Sequence, residues 1–137
     1  MWYPGAIRKE ITKFRTPIRT QSRAFILHVA VSEAESLYGF FSGASVASHF
    51  YVRKSGVIEQ YVDTRYQAPA NLYANSTAIS VETQGGVRNA NSEPWTDAQL
   101  KALAQLSKWL NETHSIPLEV MRDSRPTTRG IGYHRLG

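Results

Sequence analysis

A chain of 137 residues, 42% hydrophobic and 20% charged, supplies one compact domain of about average size and is too short for two. Lys and Arg outnumber Asp and Glu by 16 to 11 and the isoelectric point is near 9.7. The surface therefore favours a polyanion such as nucleic acid, anionic lipid headgroups or an anionic cell wall. Cysteine is absent, which excludes a disulfide framework, a thiolate metal site and a Cys nucleophile.

The opening MWYPGAIRKEITKF puts charges where a signal peptide needs an unbroken apolar segment, and no later run approaches the roughly 20 apolar residues of a spanning helix. A soluble protein without its own export signal, and without membrane insertion, is expected. AFILHVAV, residues 24–31, is apolar but for one His and short enough for a central strand buried on both faces. In SEAESLYGFFSG, Ser32 and Glu35 stand at capping-box spacing and Gly43 supplies a stop, predicting a short helix.

SHFYVRKSGVIEQYVD contains two alternating runs around Lys54, Ser55 and Gly56, which predicts a hairpin with Gly in its turn. TRYQAPANLYANS, with Pro69, reads as an irregular surface loop of the kind that carries function, and it leads into TAISVETQ, residues 77–84, a third alternating run. After Gly85 and Gly86, WTDAQLKALAQLSKWLNETH begins with Thr96 as N-cap and Gln99 at capping-box spacing. Leu100, Leu103, Leu106 and Leu110 then lie along one side, predicting the longest helix, packed on the sheet through that stripe. From Ile116 the chain passes through a Pro- and Gly-punctuated loop to a possible last strand over 131–136. Strands mixed with a few helices predict a single α/β domain, a mixed central β-sheet flanked by helices, spanning residues 1–137.

Alternation along the strands groups the polar residues. His28 shares a face with Ala24, Ile26 and Ala30; Glu82 with Ala78, Ser80 and Gln84; His134 alternates with Gly132. Groups able to bind metal or move protons thus sit among small side chains, which leave a groove where a helix-covered face would carry Leu, Ile or Phe. Each residue also has an ordinary reading: a hydrogen-bonded core His, a solvent-facing strand Glu, a surface His near a terminus. His114 ends the long helix and suits the negative end of its dipole. His49 opens the hairpin and is either a cleft wall or a strand-end cap.

Taken in order, four segments resemble the zinc-dependent N-acetylmuramoyl-L-alanine amidases of the type 2 amidase fold, a family that includes peptidoglycan recognition proteins and phage lysis amidases. FILHVAV resembles the strand bearing the family's first zinc His. ASHFYVRKSGVIEQYV is similar to its histidine-containing hairpin, NSTAISVETQGG to its Asn followed by the strand ending in the catalytic Glu, and GIGYHRLG to the segment of its second zinc His. The wording is most similar to the amidase modules of phage endolysins.

The resemblance implies that His28 and His134 are Zn(II) ligands and Glu82 the general acid/base. A zinc-bound water of lowered pKa would attack the amide joining N-acetylmuramic acid to the L-alanine of the stem peptide. It also implies peptidoglycan as partner, a substrate-side role for His49 and for Asn75, which would brace the cleft, and action on the bacterial wall after release from the cytoplasm. A monomer that binds no nucleic acid is expected. Three departures stand out. The chain stops before the loop holding the family's third ligand and oxyanion-assisting group, which reads as a domain lacking its last segment; Asp123 would have to approach as a substitute ligand. Ser48 stands where some members have an aromatic, and APAN, residues 68–71, where the family has a Trp-His pair. A non-catalytic peptidoglycan-binding module of the same fold is the alternative, and a zinc peptidase cutting within the stem peptide shares the same residue types.

Overall fold

The computed structural model of the chain describes residues 1–18, 24–70, 75–87, 93–123, 125 and 128–133. Among them, six strands form one mixed sheet: β1 (Ala6–Arg8), β2 (Ala24–Val29), β3 (Phe50–Val52), β4 (Ile58–Gln60), β5 (Ala78–Thr83) and β6 (Gly130–Tyr133), in the order β1-β4-β3-β5-β2-β6. β3 and β4 are antiparallel and all other pairings are parallel. The α/β class with a mixed central sheet is as expected. β2 lies in the interior of the sheet, between β5 and β6.

Helix α1 (Tyr38–Ser42) and the long helix α2 (Asp97–His114) lie on opposite faces. Alternation decides which residues meet which helix. Phe25, Ile79, Val81, Phe50 and Val52 are fully buried in one cluster with Leu103, Leu106 and Leu110 of α2. Tyr51, Tyr61, Val62 and Ala68 are buried with Phe41 of α1 and Leu37 in the other.

α2 starts as its sequence predicts: the Thr96 hydroxyl accepts from Gln99 N–H and the Gln99 side chain accepts from Thr96 N–H, satisfying two donors that a helix start leaves open. The buried stripe is Gln99, Ala102, Leu103, Leu106 and Leu110. Leu100 does not belong to it. At 3.6 residues per turn it sits about a quarter-turn off that line, and it is 49% exposed.

The start of α1 also departs from expectation. No capping box forms at Ser32 and Glu35; the helix begins after Leu37 without a side-chain cap. The Ser32 hydroxyl instead accepts from Ala34 N–H, and its backbone pairs with Gly85 across the sheet end. β2 stops at Val29 because the chain turns over at Val31, a β-branched residue with φ of 54°, a conformation such residues rarely adopt.

The hairpin closes over Lys54, Ser55 and Gly56 as predicted, with Gly56 N–H donating to Arg53 C=O at 2.8 Å. Gly56 has φ of 88°, and a Cβ there would lie 2.9 Å from Ala98 C=O in α2, so a side chain is excluded twice over. β6 covers Gly130–Tyr133, and the rest of the expected 131–136 lies outside the described residues. Its free edge is covered by backbone bonds from Met121 N–H to Ile131 C=O and from Ile131 N–H to Glu119 C=O. No helix is long and apolar enough to cross a membrane among the described residues.

Candidate functional site

The registers line up one row of side chains across the face that bears α1. His28 is opposite Glu82, Glu82 opposite Tyr51, Tyr51 opposite Glu59, and Glu59 opposite Ile7. Four polar side chains thus run side by side over four strands, flanked by the small residues that sequence alternation identified.

At the carboxyl ends of the parallel strands the face opens into a cleft of about 490 Å³, the place where ligands enter sheets of this kind. Glu82 lies on it, with Val29 and Ala30 at the end of β2, Ser36 and Leu37 on one wall, and Phe40 and Val46 at its mouth. Phe40 and Val46 are 64% and 45% exposed, so the mouth is apolar and open. The lower part of the face is closed, because Met121 packs over Ala24 and Ala78.

His28 is 6% exposed and its Nδ1 stands 3.9 Å from Glu82 Oε1, too far for a direct hydrogen bond. Glu82 Oε2 is buried with no hydrogen-bond partner among the described residues. Burial disfavours the charged carboxylate and raises Glu82 to about 7, a value suited to accepting and returning a proton near neutral pH.

Glu59, two strands away, is pushed the opposite way. Burial raises its carboxyl, but hydrogen bonds from Ser36, Tyr61, Arg53 and Lys9 outweigh this and hold it at about 2. The row therefore carries one carboxyl poised to exchange protons and one fixed as an anion, set by environment alone. Tyr51 between them is raised to about 12 by burial and by the surrounding carboxylates, and it donates its hydroxyl to Ala34 C=O at 2.6 Å.

His49 does not contact the cleft. It is fully buried; its Nδ1 accepts from Ser80 N–H at 3.1 Å, and its Nε2 lies 2.7 Å from the Tyr66 C=O. Both nitrogens are satisfied only in the neutral Nε2–H form, and burial lowers the ring to about 4. In this position His49 braces β5 against the loop at Tyr66. Ser48 beside it is buried and donates to Phe50 C=O.

Asn75 is half-buried in the turn before β5 and does not line the cleft, whereas Pro69 and Ala70 from the preceding loop do. His134 lies outside the described residues. The last described pair of β2 with β6 is Leu27 opposite Tyr133. Asp123 is engaged by Arg125, 2.8 Å away, and by Thr128, which hold its carboxyl well below the usual range. His114 ends α2 as a structural residue, 2.7 Å from the Thr64 hydroxyl and edge-on to Trp109. Among the described residues no three His, Asp or Glu side chains come together as a metal cluster.

Sequence reasoning missed the cleft wall: Ser36, Leu37, Phe40 and Val46, and the Glu59 network behind it. The adjacent aromatics in YGFFSG were the available signal, since Phe41 is buried and Phe40 is not.

A family model described as N-acetylmuramoyl-L-alanine amidase matches residues 15–134. No curated protein matches in sequence. The fold is similar to that of N-acetylmuramoyl-L-alanine amidase LysC from Clostridium intestinale URNW, with a TM-score of 0.68 and 19% identity over 94% of this chain and 83% of that one. It is likewise similar to AmpD, at 0.72 and 17% over 97% and 83%, and to PlyL, at 0.71 and 15% over 95% and 80%. At such identities the likeness speaks for the fold, the type 2 amidase fold that the sequence resemblance implied. The family match spans most of the chain, and on that ground this protein belongs to the N-acetylmuramoyl-L-alanine amidase family.

Proposed function

We propose that this protein hydrolyses the amide between N-acetylmuramic acid and the L-alanine of the stem peptide in bacterial peptidoglycan, with His28 and His134 holding Zn(II) and Glu82 as general acid and base. One observation carries the reading: in a chain of the amidase family, Glu82 lines an open cleft with one carboxylate oxygen buried and unpartnered among the described residues, and the buried His28 stands behind it at 3.9 Å.

Of the two ligands, the described His28 suits the metal. A neutral imidazole is a good zinc ligand, and the 3.9 Å between Nδ1 and Oε1 keeps His28 and Glu82 from closing on each other in a direct hydrogen bond. When bound, zinc supplies a Lewis acid for the amide carbonyl and lowers the pKa of a water. Glu82 takes the proton from the attacking water and delivers it to the departing alanine amine as the C–N bond breaks. Leu37, Phe40 and Val46 provide an apolar wall that screens the reacting amide from bulk water and strengthens the Glu82 interaction. The formal charge of +5 draws the protein to anionic wall polymers.

Metal analysis of the protein and of His28→Ala, beside a wall-digestion assay for new alanine amino termini, tests the reading. Zinc in the parent alone, with alanine termini released by the parent alone, is the expected result. Cleavage within the stem peptide would make the protein a peptidase instead. Wall binding with no new termini would make it a recognition module.

A further inference from the structure

Ala34, Ser36 and Leu37 line a wall of the cleft, within a stretch, residues 33–37, that belongs to no helix or strand, so something other than a hydrogen-bonded ladder must hold it. Four anchors rise from the sheet. Gln84 donates to Glu33 C=O at 2.7 Å, Tyr51 to Ala34 C=O at 2.6 Å, Ser36 donates to Glu59 Oε1 at 2.5 Å, and Leu37 N–H donates to the Tyr61 hydroxyl at 3.0 Å. Tyr61 in turn donates to Glu59 Oε1 at 2.7 Å. Two of the four anchors therefore end on one oxygen.

The other oxygen, Oε2, takes Arg53 at 2.6 Å and Lys9 at 3.0 Å. Glu59 is fully buried, and it does not line the cleft. A buried carboxylate with two cations on one oxygen and two hydroxyls on the other is held in a single orientation, and replacing it with apolar bulk would take the carboxylate acceptor from two cations and two hydroxyl donors. A residue needed only for burial would not carry this set.

We propose that Glu59 is a positioning residue for substrate: through Ser36 and, by way of Tyr61, through Leu37, it sets the place of the cleft wall that lies beside Glu82. The proposal rests on the amidase reading of the cleft. It assigns Glu59 no contact with the reacting atoms; its effect on the reaction is the width and rigidity of the wall against which the muramoyl-peptide lies.

Two variants of the full chain test it. Glu59→Gln keeps the shape but removes the charge, leaving Arg53 and Lys9 facing a neutral amide. Tyr61→Phe keeps the ring packing and the carboxylate and removes only the hydroxyl that joins Glu59 to Leu37, so it stands even if the first variant folds poorly. Amide hydrogen exchange is read first, with no substrate present: exchange at residues 34–38 should rise about tenfold in Tyr61→Phe while β5 and α2 stay protected. Steady-state kinetics on a soluble muramoyl-L-alanine peptide should then show KM up about fivefold with kcat within twofold, the signature of lost ground-state binding. The two variants combined should raise KM no more than the larger single effect, because both act through one chain of contacts.

Unchanged exchange at 34–38 overturns the proposal. So does raised exchange with unchanged KM, which would leave Glu59 a purely structural anion. A parent protein that cleaves no muramoyl amide would condemn the amidase reading and not the anchoring, which the exchange arm decides by itself.

Discussion

His28 and Glu82 hold the same register position on adjacent parallel strands, with Nδ1 and Oε1 3.9 Å apart. Neither β2 nor β5 alone suggests a site, since each offers one ionisable group among small residues. Pairing the strands in this register puts the two groups on one face, where Glu82 reaches the cleft and His28 is buried behind it.

The pairing carries a stability cost that can be measured. Glu82 has a folded value of about 7 against an ordinary 4.5, so the folded state holds a proton that the unfolded state releases. Stability contributed by this group is complete below about pH 4.5 and is lost as pH rises through about 7. In metal-free protein, Glu82→Gln should be more stable than the parent at pH 8 by on the order of 2 kcal/mol, discounted from the full shift because the side chain is partly open. The two should be equal at pH 4, and amidase activity should vanish in the variant. Urea unfolding with a chelator present is the measurement; equal stabilities at pH 8 would contradict the buried, unpartnered carboxyl.

His49 pulls the other way. Its folded value of about 4 lies below the ordinary 6.5, so on acidification the unfolded state takes up the proton first. Its contribution is complete above pH 6.5 and declines by about 3 kcal/mol as pH falls through about 4. Between these limits Glu82 and His49 oppose each other. Glu82→Gln should lose stability on acidification more steeply than the parent, and His49→Asn, though less stable throughout, should have the flatter acid limb. Denaturant midpoints from pH 4 to 7 decide.

Leu100 and Leu106 separate the two faces of α2. Leu106 is fully buried between the helix and the sheet, and Leu106→Ala should cost about 2–5 kcal/mol as transfer and cavity terms add. Leu100→Ala should stay within about 0.5 kcal/mol. Similar losses at both positions, seen in thermal melts, would mean that the helix is rotated from the orientation described.

Phe40 tests the mouth of the cleft. At 64% exposure it contributes little to folding, so Phe40→Ser should leave the melting temperature within about 2 °C and raise KM severalfold if apolar contact with substrate occurs there. An unchanged KM would remove this residue from the substrate surface.

Much of the architecture was legible because it depends on local regularities. The capping box of α2, the glycine turn of the hairpin and the alternation of the strands are short-range patterns, and all appear where the residues put them. The misreadings fall where tertiary contacts compete. Ser32 and Glu35 have capping-box spacing, yet the Ser32 backbone is drawn into a bridge with Gly85 and the helix starts only after Leu37. Leu100 fits a leucine count but not the angle of the buried line, which Gln99 and Ala102 complete. His49 looked equally like a wall or a cap until the loop around Tyr66 closed over it.

The sequence by itself determined the fold class, the family and the identity of His28 and Glu82 as a pair worth joining, because strand periodicity and motif order are properties of consecutive residues. Only the tertiary structure decided that these two meet at 3.9 Å, that Glu82 titrates near neutrality while Glu59 is fixed as an anion, and that an irregular wall hangs from the sheet by four side-chain anchors. Those properties come from strand register and burial, which bring together groups more than twenty residues apart and set the dielectric around them.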